Sequence, residues 1–274
     1  MLNFITWDVS PEIFTLGPIT MRWYGLLFVM GFILGQPILK HIYKTDGRKE
    51  EDVDVITMYM IIGTVIGARL GHCLFYDPDY YLSHPLEILM VWKGGLASHG
   101  ATLGILLALY LFCRNHKFNY LWVLDRIVIV VALGGAFIRL GNLMNSEIIG
   151  RPADVPWAFK FVRNAERFNG VPANLDPRHP TQLYESFFCI FLFILLYRLW
   201  KQGKGQIRGF LFGLFVTLLF TFRFVVEFFK ENQEDFENNL PLNMGQWLSI
   251  PLVLIGIGVL VYALKQPRQP KMVA

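Results

Sequence analysis

Charged residues are scarce in this sequence. Asp, Glu, Lys and Arg make up 17% of the 274 residues, whereas 54% are hydrophobic. Soluble domains carry about 25% charged residues, so the composition excludes an ordinary soluble protein and indicates an integral membrane protein. The net charge is +4, and the basic residues fall in short clusters between apolar runs. That pattern is typical of membrane topology, and it predicts no nucleic-acid partner.

The sequence also lacks the motifs of metal and nucleotide chemistry. Its three cysteines lie singly within apolar stretches, which indicates buried structural thiols and no disulfide framework. The six histidines show no spacing for zinc ligands, and there is neither a Gly-x-Ser-x-Gly elbow nor a glycine-rich phosphate loop. We therefore expect no metal and no cofactor.

Seven apolar runs are long enough to cross about 30 Å of hydrocarbon at about 1.5 Å per helical residue. They cover residues 18 to 39, 54 to 76, 96 to 113, 121 to 140, 181 to 200, 209 to 229 and 246 to 264. The sequence thus predicts an all-α integral membrane protein in which residues 1–274 form a single membrane domain with seven transmembrane helices.

Basic clusters follow the first, third, fifth and seventh runs. They contain Lys40, Lys44, Arg48 and Lys49; Arg114 and Lys117; Arg198, Lys201, Lys204 and Arg208; and Lys265, Arg268 and Lys271. Seven spans place all four clusters on one side, which the positive-inside rule makes cytoplasmic. The predicted orientation therefore has the N-terminus outside and the C-terminus in the cytoplasm.

Two segments do not fit simple spans. Residues 85 to 93 give only about 13 Å of helix before Gly94 and Gly95, so we predict an interfacial or re-entrant segment near 85–95. Residues 148–180 are rich in Pro, Asn and Arg. At about thirty residues they are long enough for a small extracytoplasmic head inserted in the membrane domain.

Nearly all polar residues within the spans cluster at one depth, and the main exceptions are Asp125 and Arg126 at the inner surface. Arg139 lies roughly 27 Å from the inner end of the fourth span, and Arg223 roughly 21 Å from the inner end of the sixth. Both arginines therefore belong to the outer leaflet. Other polar residues of the same level are Tyr24, Arg69, His99, Gln182, Tyr184 and Glu185. A ring of helices with polar groups at one depth predicts a cavity that faces the outer leaflet.

Two guanidinium groups suit an anionic oxygen cluster such as a lipid phosphate. Glu227 follows Arg223 by four residues on the same helix face, where it either orients that guanidinium or merely ties helices together. Asn142 and Asn145 can hydrogen-bond a sugar or glycerol hydroxyl, and Gly150 allows close backbone approach. The imidazole of histidine can donate or accept a proton, so His99 is either a general base or a hydrogen-bonded histidine at a helix end.

These residues stand in motifs that resemble the bacterial phosphatidylglycerol:prolipoprotein diacylglyceryl transferases along nearly the whole chain. The motifs are Trp23-Tyr24-Gly25; Gly94-Gly95 to His99-Gly100; Arg139-x-Gly141-Asn142-x-x-Asn145-x-Glu147-x-x-Gly150; Arg178-His179-Pro180-x-Gln182-Leu183-Tyr184-Glu185; Arg223-x-x-x-Glu227-Phe228-Phe229; and Met244-Gly245-Gln246.

The resemblance implies the first step of bacterial lipoprotein maturation, carried out in the bacterial cytoplasmic (inner) membrane. In that reaction the sn-1,2-diacylglyceryl group of phosphatidylglycerol moves to the lipobox cysteine thiol of a prolipoprotein signal peptide, giving a thioether and glycerol 1-phosphate. The resemblance implies catalytic residues and a substrate-binding set. The catalytic residues would be Arg139, Arg223, His99 and Glu227. The substrate-binding residues would be Arg139, Tyr24, Asn142, Asn145, Glu147, Gly150, Gln182 and Tyr184.

A competing class is a transporter or lipid-binding protein that holds an anionic membrane lipid without changing it, since buried arginines and interrupted helices occur there too. A transport path needs polar residues through the midplane. The polar groups predicted here stay at the outer level, and this favours an enzyme.

Overall fold

The computed structural model describes residues 4–17, 19–91, 94–164, 175–232 and 240–266. Within these ranges the chain is mainly helical. The α-helices are α1 (Trp23–Thr45), α2 (Glu51–Phe75), α3 (Pro78–Ser83), α4 (Ser98–His116), α5 (Tyr120–Met144), α6 (Thr181–Lys201), α7 (Phe210–Val226) and α8 (Met244–Lys265). Short 3-10 helices occupy Pro85–Leu89, Val162–Asn164, Lys204–Gln206 and Glu227–Phe229. The predicted helical fold class is confirmed.

Six helices in the described part of the chain are long and apolar enough to cross a membrane. They are α1, α2, α5, α6, α7 with the 3-10 turn that follows it, and α8. The chain is therefore a multi-pass membrane protein. The third predicted span is the 19-residue helix α4, which is not among these six. The count of seven spans and the single membrane domain stay predictions.

In the described part of the chain, four short strands precede or interrupt the helices, and they were not predicted from the sequence. β2 (Glu12–Leu16) pairs antiparallel with β3 (Ile19–Arg22), and β1 (Ile5–Trp7) pairs in parallel with β4 (Phe159–Phe161). Because β3 uses the residues just before Trp23, the first helix begins at Trp23 and not at residue 18 as predicted.

The chain divides into two compact units. The first contains Met1–Ile38 and Asp125–Pro270, and the second contains Leu39–Leu124. In the second unit, α2 and α4 pack through glycines. A Cβ atom at Gly67 would lie 2.8 Å from Cα of Gly104, and one at Gly71 would lie 2.7 Å from Cα of Gly100. Such small-residue seams let membrane helices approach closely and gain dispersion energy.

Arg69 of α2 organises the predicted 85–95 segment within the second unit. Its Nε donates to Ile88 O at 2.9 Å, one Nη donates to Glu87 O at 2.5 Å, and the other donates to Gly94 O at 2.7 Å and to Gly95 O at 3.3 Å. The guanidinium also lies 4.9 Å from the ring centre of Tyr81. Residues 92–93 lie outside the described residues, and the interfacial or re-entrant placement stays a prediction.

In the first unit, a buried carboxylate joins the starts of two long helices. Asp125 of α5 accepts hydrogen bonds from the backbone N–H groups of Gly209 at 2.7 Å and Phe212 at 2.9 Å. These are donors that the first turn of α7 cannot satisfy within the helix. The seam between α7 and α8 is again close, since a Cβ atom at Gly256 would lie 2.7 Å from the backbone N of Thr217.

The predicted head has a small core of its own in the described part of 148–180. Ile149, Phe159 and Phe161 are buried together with Leu143, and Trp7 packs against them. Trp7 also donates its indole N–H to Leu143 O at 3.1 Å. Strand β1 thus brings the N-terminal residues to the head. Residues 165–174 lie outside the described residues, and the extracytoplasmic placement stays a prediction.

Candidate active site

Arg139 lies near the C-terminal end of α5 and faces the start of α6. One Nη group donates to Asn142 Oδ1 at 3.3 Å, and the other lies 3.2 Å from Glu185 Oε1. Ser186 Oγ donates to Ala136 O at 3.1 Å, which fixes the two helices at this level. The Arg139 side chain is 19% exposed, so its charge is largely removed from solvent.

The chain after α5 turns sharply and is tied to α6. Ser146 and Ile148 adopt positive φ angles of 52° and 56°. Gln182 donates to Glu147 O, and Thr181 donates to Ile148 O at 2.8 Å. The side chains of this turn converge on one carboxylate, because Asn142 donates to Glu147 Oε2 at 3.5 Å and Asn145 donates to its Oε1. The predicted site residues Asn142, Asn145, Glu147 and Gln182 therefore lie together.

Glu185 and Glu227 are linked by a lysine that the sequence analysis missed. Lys230 Nζ donates to Glu185 Oε1 at 3.2 Å and to Glu227 Oε1 at 2.8 Å. Arg223 Nε lies 3.6 Å from the same Glu227 oxygen. Together with Arg139, these residues form a charge chain in the order Arg139, Glu185, Lys230, Glu227, Arg223. The structure thus brings both predicted arginines and Glu227 into one network.

Three cations and two carboxylates in the charge chain leave one positive charge in excess. Lys230, Glu185 and Glu227 are nearly buried, with 2%, 5% and 6% exposure. The side chain of Arg223 is 39% exposed, and neither of its Nη groups has a partner among the described residues. Among the same residues, Glu185 Oε2 is buried without a hydrogen-bond partner. Glu147 adds a third carboxylate at the Arg139 end through Asn142, so the charges balance over the whole site. The unused donors of Arg223 are what favour an anion as the ligand.

Helix α8 fixes Glu227 from the other side. Asn243 and Gln246 form a capping box at the start of α8, and Asn243 Nδ2 also donates to Glu227 Oε2 at 3.2 Å. Gly245 is required by contact, since a Cβ atom there would lie 2.5 Å from Cδ of Glu227. The motif Met244-Gly245-Gln246 therefore lets the first turn of α8 pack directly against the carboxylate of Glu227.

Tyr24 and Gly150 reach the same network through close backbone packing. A Cβ atom at Gly141 would lie 2.8 Å from Cδ2 of Tyr24, so the tyrosine ring packs against the helix turn that carries Asn142. Gly150 pairs with Lys230 in an isolated bridge, and a Cβ atom there would lie 2.7 Å from Phe229 O. Glycine at 150 lets this segment pack beside the 3-10 turn of Glu227.

Tyr184 is already engaged with two aromatic neighbours. Its hydroxyl accepts the indole N–H of Trp157 at 2.8 Å and lies 3.0 Å from Nδ1 of His179. Burial lowers the pKa of His179 and so favours its neutral imidazole. Tyr184 therefore orients the head against α6, and its contact with substrate stays a prediction.

His99 lies in the first turn of α4, in the second unit. Its side chain is exposed and makes no hydrogen bond with any described residue. The backbone before it is anchored, because Ala97 N donates to Ala68 O at 2.9 Å. An exposed imidazole without a partner is available for proton transfer, and the alternative of a hydrogen-bonded helix-end histidine finds no support in the described contacts. Its catalytic role stays a prediction.

Lys230 could have been found from the sequence by its spacing. It lies three residues after Glu227 and seven after Arg223, on the side of a helix end where a lysine has a carboxylate within reach. Its partner Glu185 comes from another helix, and sequence spacing cannot reveal that contact.

No group of three or more potential metal-ligating side chains occurs among the described residues.

Comparison with known proteins assigns the chain to a family. Residues 11–262 match the family model described as prolipoprotein diacylglyceryl transferase. The chain is 51% identical to the phosphatidylglycerol–prolipoprotein diacylglyceryl transferase of Chloroherpeton thalassium, and the match covers 98% of each chain. It is 48% identical to the protein of that name from Tolumonas auensis, over 95% of this chain and 98% of the relative. The protein of that name from Porphyromonas gingivalis is 44% identical over 98% of each chain. Matches of this length and identity show that the chain belongs to the prolipoprotein diacylglyceryl transferase family.

Proposed function

We propose that this chain transfers the sn-1,2-diacylglyceryl group of phosphatidylglycerol to the lipobox cysteine thiol in the signal peptide of a prolipoprotein. The family and the names of its relatives support a transferase that performs the first step of lipoprotein maturation. A sulfur–carbon bond forms at the terminal glycerol carbon of the lipid. The carbon–oxygen bond to phosphate breaks, the thiol proton is lost, and glycerol 1-phosphate leaves.

The observation that carries this proposal is the pair of arginines at the two ends of the charge chain, of which Arg223 keeps unused donors among the described residues. A phosphodiester carries one negative charge, and more develops on the leaving oxygen as its bond to carbon breaks. Arg139 and Arg223 supply planar donors at the two ends of the charge chain. Donors that are fixed in advance stabilise developing charge far better than water does. Glu185, Lys230 and Glu227 hold them there.

The remaining site residues receive roles in the same proposal. Asn142, Asn145 and Glu147 shape the wall that contacts the lipid, with Gln182 holding the turn. Tyr24, Gly150 and Tyr184 close the packing around that wall. His99 takes the thiol proton, because a free thiol has a pKa near 8.5 and needs a base or a positive field to form the thiolate at pH 7.

The test uses purified protein in detergent with phosphatidylglycerol and a lipobox peptide. The peptide mass should increase by one diacylglyceryl group, and glycerol 1-phosphate should appear in equal amount. A peptide with serine in place of cysteine is the control and should stay unmodified. Lipid binding without any thioether product would contradict the proposal and leave a lipid-binding protein.

We further propose the inner-membrane orientation with the N-terminus outside. The basic clusters after α1, α4 and α6 support it through the positive-inside rule. Cysteine introduced at Arg163 in the head should react with a membrane-impermeant maleimide on intact cells, and cysteine at Lys117 should not. The native Cys73, Cys113 and Cys189 are buried and give a low background. The reverse labelling pattern would overturn the orientation.

A further inference from the structure

A polar cavity of about 250 Å³ lies beside Glu227 within the first unit. Its lining includes Arg151, Glu227, Asn232, Leu240, Asn243 and Gln246. Of these residues, only Glu227 was among the expected site residues, and it was expected to be catalytic. The cavity is small for a whole lipid, since pockets for drug-sized ligands measure about 300–1,000 Å³. Its volume suits a single small polar group.

The cavity is built from buried polar side chains. Glu227, Asn243 and Gln246 are 6%, 9% and 3% exposed. Asn243 and Gln246 are committed to the start of α8, because Asn243 N donates to Gln246 Oε1 at 3.1 Å and Gln246 N donates to Asn243 Oδ1 at 2.9 Å. They therefore fix the wall.

Two residues of the lining retain capacity for a ligand. An ionised carboxylate offers about four acceptor sites. Glu227 uses one on Oε1 for Lys230 and one on Oε2 for Asn243, so about two acceptor positions remain beside its 3.6 Å ion pair with Arg223. Arg151 donates its Nε to Lys230 O at 3.0 Å, and neither of its Nη groups has a partner among the described residues.

The cavity adjoins the place where the proposed function puts the phosphate. Arg223 Nε is 3.6 Å from Glu227 Oε1, so one carboxylate separates a phosphate at Arg223 from the cavity. The group attached to the far side of that phosphate in phosphatidylglycerol is a glycerol with two free hydroxyls. Two hydroxyl donors match the two open acceptor positions of Glu227, and the hydroxyl oxygens can accept from Arg151.

We propose that this cavity binds the headgroup glycerol of phosphatidylglycerol, with its hydroxyls donating to Glu227 and accepting from Arg151. This assignment rests on the proposed function. It makes Glu227 and Arg151 specificity determinants for the leaving group, beside the arginines that bind its phosphate. A site built to hydrogen-bond a hydroxyl discriminates strongly against a ligand without one, because a buried polar group, here the Glu227 carboxylate, is then left unpaired.

The experiment compares phosphatidylglycerol with phosphatidylethanol of the same acyl chains, which keeps the phosphodiester charge and lacks both hydroxyls. The wild-type protein should prefer phosphatidylglycerol in kcat/KM by about 10²-fold or more. Arg151→Met should reduce that preference by about tenfold, the size of one hydrogen bond to a charged group. The matched control is Arg163→Met, since Arg163 pairs with exposed Asp8 at 3.2 Å, away from the cavity. It should keep the preference.

A second variant tests the space itself. Leu240 is 41% exposed on the cavity wall, and Leu240→Trp should occupy the cavity, raise KM for phosphatidylglycerol and reduce the same preference. If the wild-type protein uses both lipids equally, or if both variants keep its full preference, the glycerol assignment is wrong while the transferase function stands. If no thioether forms with either lipid, the proposed function itself fails.

Discussion

Arg69 and Arg223 are both arginines of long apolar helices, and their surroundings differ in kind. Arg69 is 2% exposed, and all three of its guanidinium nitrogens donate to backbone carbonyls of the 85–95 segment. Arg223 has one carboxylate at 3.6 Å and two Nη groups without partners among the described residues. An arginine whose donors are all used by backbone stabilises a fold. One with unused donors can bind a ligand.

The same contrast separates the two parts of the chain that carry predicted site residues. In the second unit, Arg69 orders the backbone that leads to His99. In the first unit, carboxylates orient Arg139 and Arg223 and leave part of each guanidinium available. An arginine within a membrane helix can therefore be structural or ligand-binding, and the number of its donors that are already hydrogen-bonded decides which.

The largest expected effect comes from removing the available guanidinium groups. Arg139→Ala and Arg223→Ala should each lower transfer to a lipobox peptide by about 10³-fold or more, since each removes charge stabilisation of the leaving phosphate. Lysine at either position should recover little, because a point charge lacks the planar two-donor geometry. Arg163→Ala is the control and should keep full activity. A lysine variant with the wild-type rate would show that charge alone suffices.

The second prediction concerns His99, which follows the 85–95 segment held by Arg69. His99→Gln should lower the rate at pH 7 by at least about 10²-fold, the usual contribution of a general base. Raising the pH toward 8.5 should recover part of the rate, because the substrate thiol then ionises without help. The measurement is the pH profile of kcat for both proteins. A glutamine variant as active as the wild type at every pH would give His99 a structural role.

The third prediction tests whether the charge chain holds its arginines in position. Lys230→Met leaves Glu185 and Glu227 without their shared cation, so both carboxylates should draw their arginines inward and away from the phosphate. We expect kcat to fall between about 10-fold and 10²-fold. Lys230→Arg should restore much of it, because arginine can pair with both carboxylates.

Two measurements separate positioning from simple loss of folding for Lys230. The Lys230→Met variant should lose more in kcat than it gains in KM for the peptide. Its thermal stability should be compared with that of the Lys201→Met variant, because Lys201 is an exposed lysine at the end of α6. Failure of the arginine variant to recover activity, or an equal loss in both methionine variants, would remove Lys230 from the network's function.

The smallest effect on activity should come from Arg69. Arg69→Gln removes most of the hydrogen bonds to the 85–95 segment, so we expect a loss of about 3 kcal/mol or more of stability and less than tenfold in rate. Thermal unfolding in detergent and hydrogen exchange of residues 85–91 measure the loss. A collapse of activity as deep as that of Arg223→Ala would break the distinction between the two kinds of arginine.

Much of the fold was predictable because the bilayer imposes a simple rule on sequence. A crossing helix needs about twenty apolar residues, and six predicted spans became such helices with ends shifted by a few residues. The larger shift, from residue 18 to Trp23, arose where a short hairpin replaced the start of a helix. β1 and β4 were missed because these two strands pair with each other across about 150 residues of sequence.

The sequence named the members of the candidate site and did not reveal their connections. Depth along the spans singled out Arg139 and Arg223, whereas helix spacing and amide chemistry added Glu227 and Asn142. They did not reveal that Lys230 bridges carboxylates from two helices, or that Asn243 presses on Glu227, since both depend on how α6, α7 and α8 pack.

By itself, then, the sequence determined the membrane class and the family, because hydrophobic length and motif spacing are properties of a linear chain. Only the tertiary structure decided that the donors of Arg69 are all hydrogen-bonded to backbone carbonyls, whereas Arg223 keeps donors without partners among the described residues. Hydrogen bonds and ion pairs act over about 3 to 4 Å between residues far apart in sequence, and no spacing rule reports them.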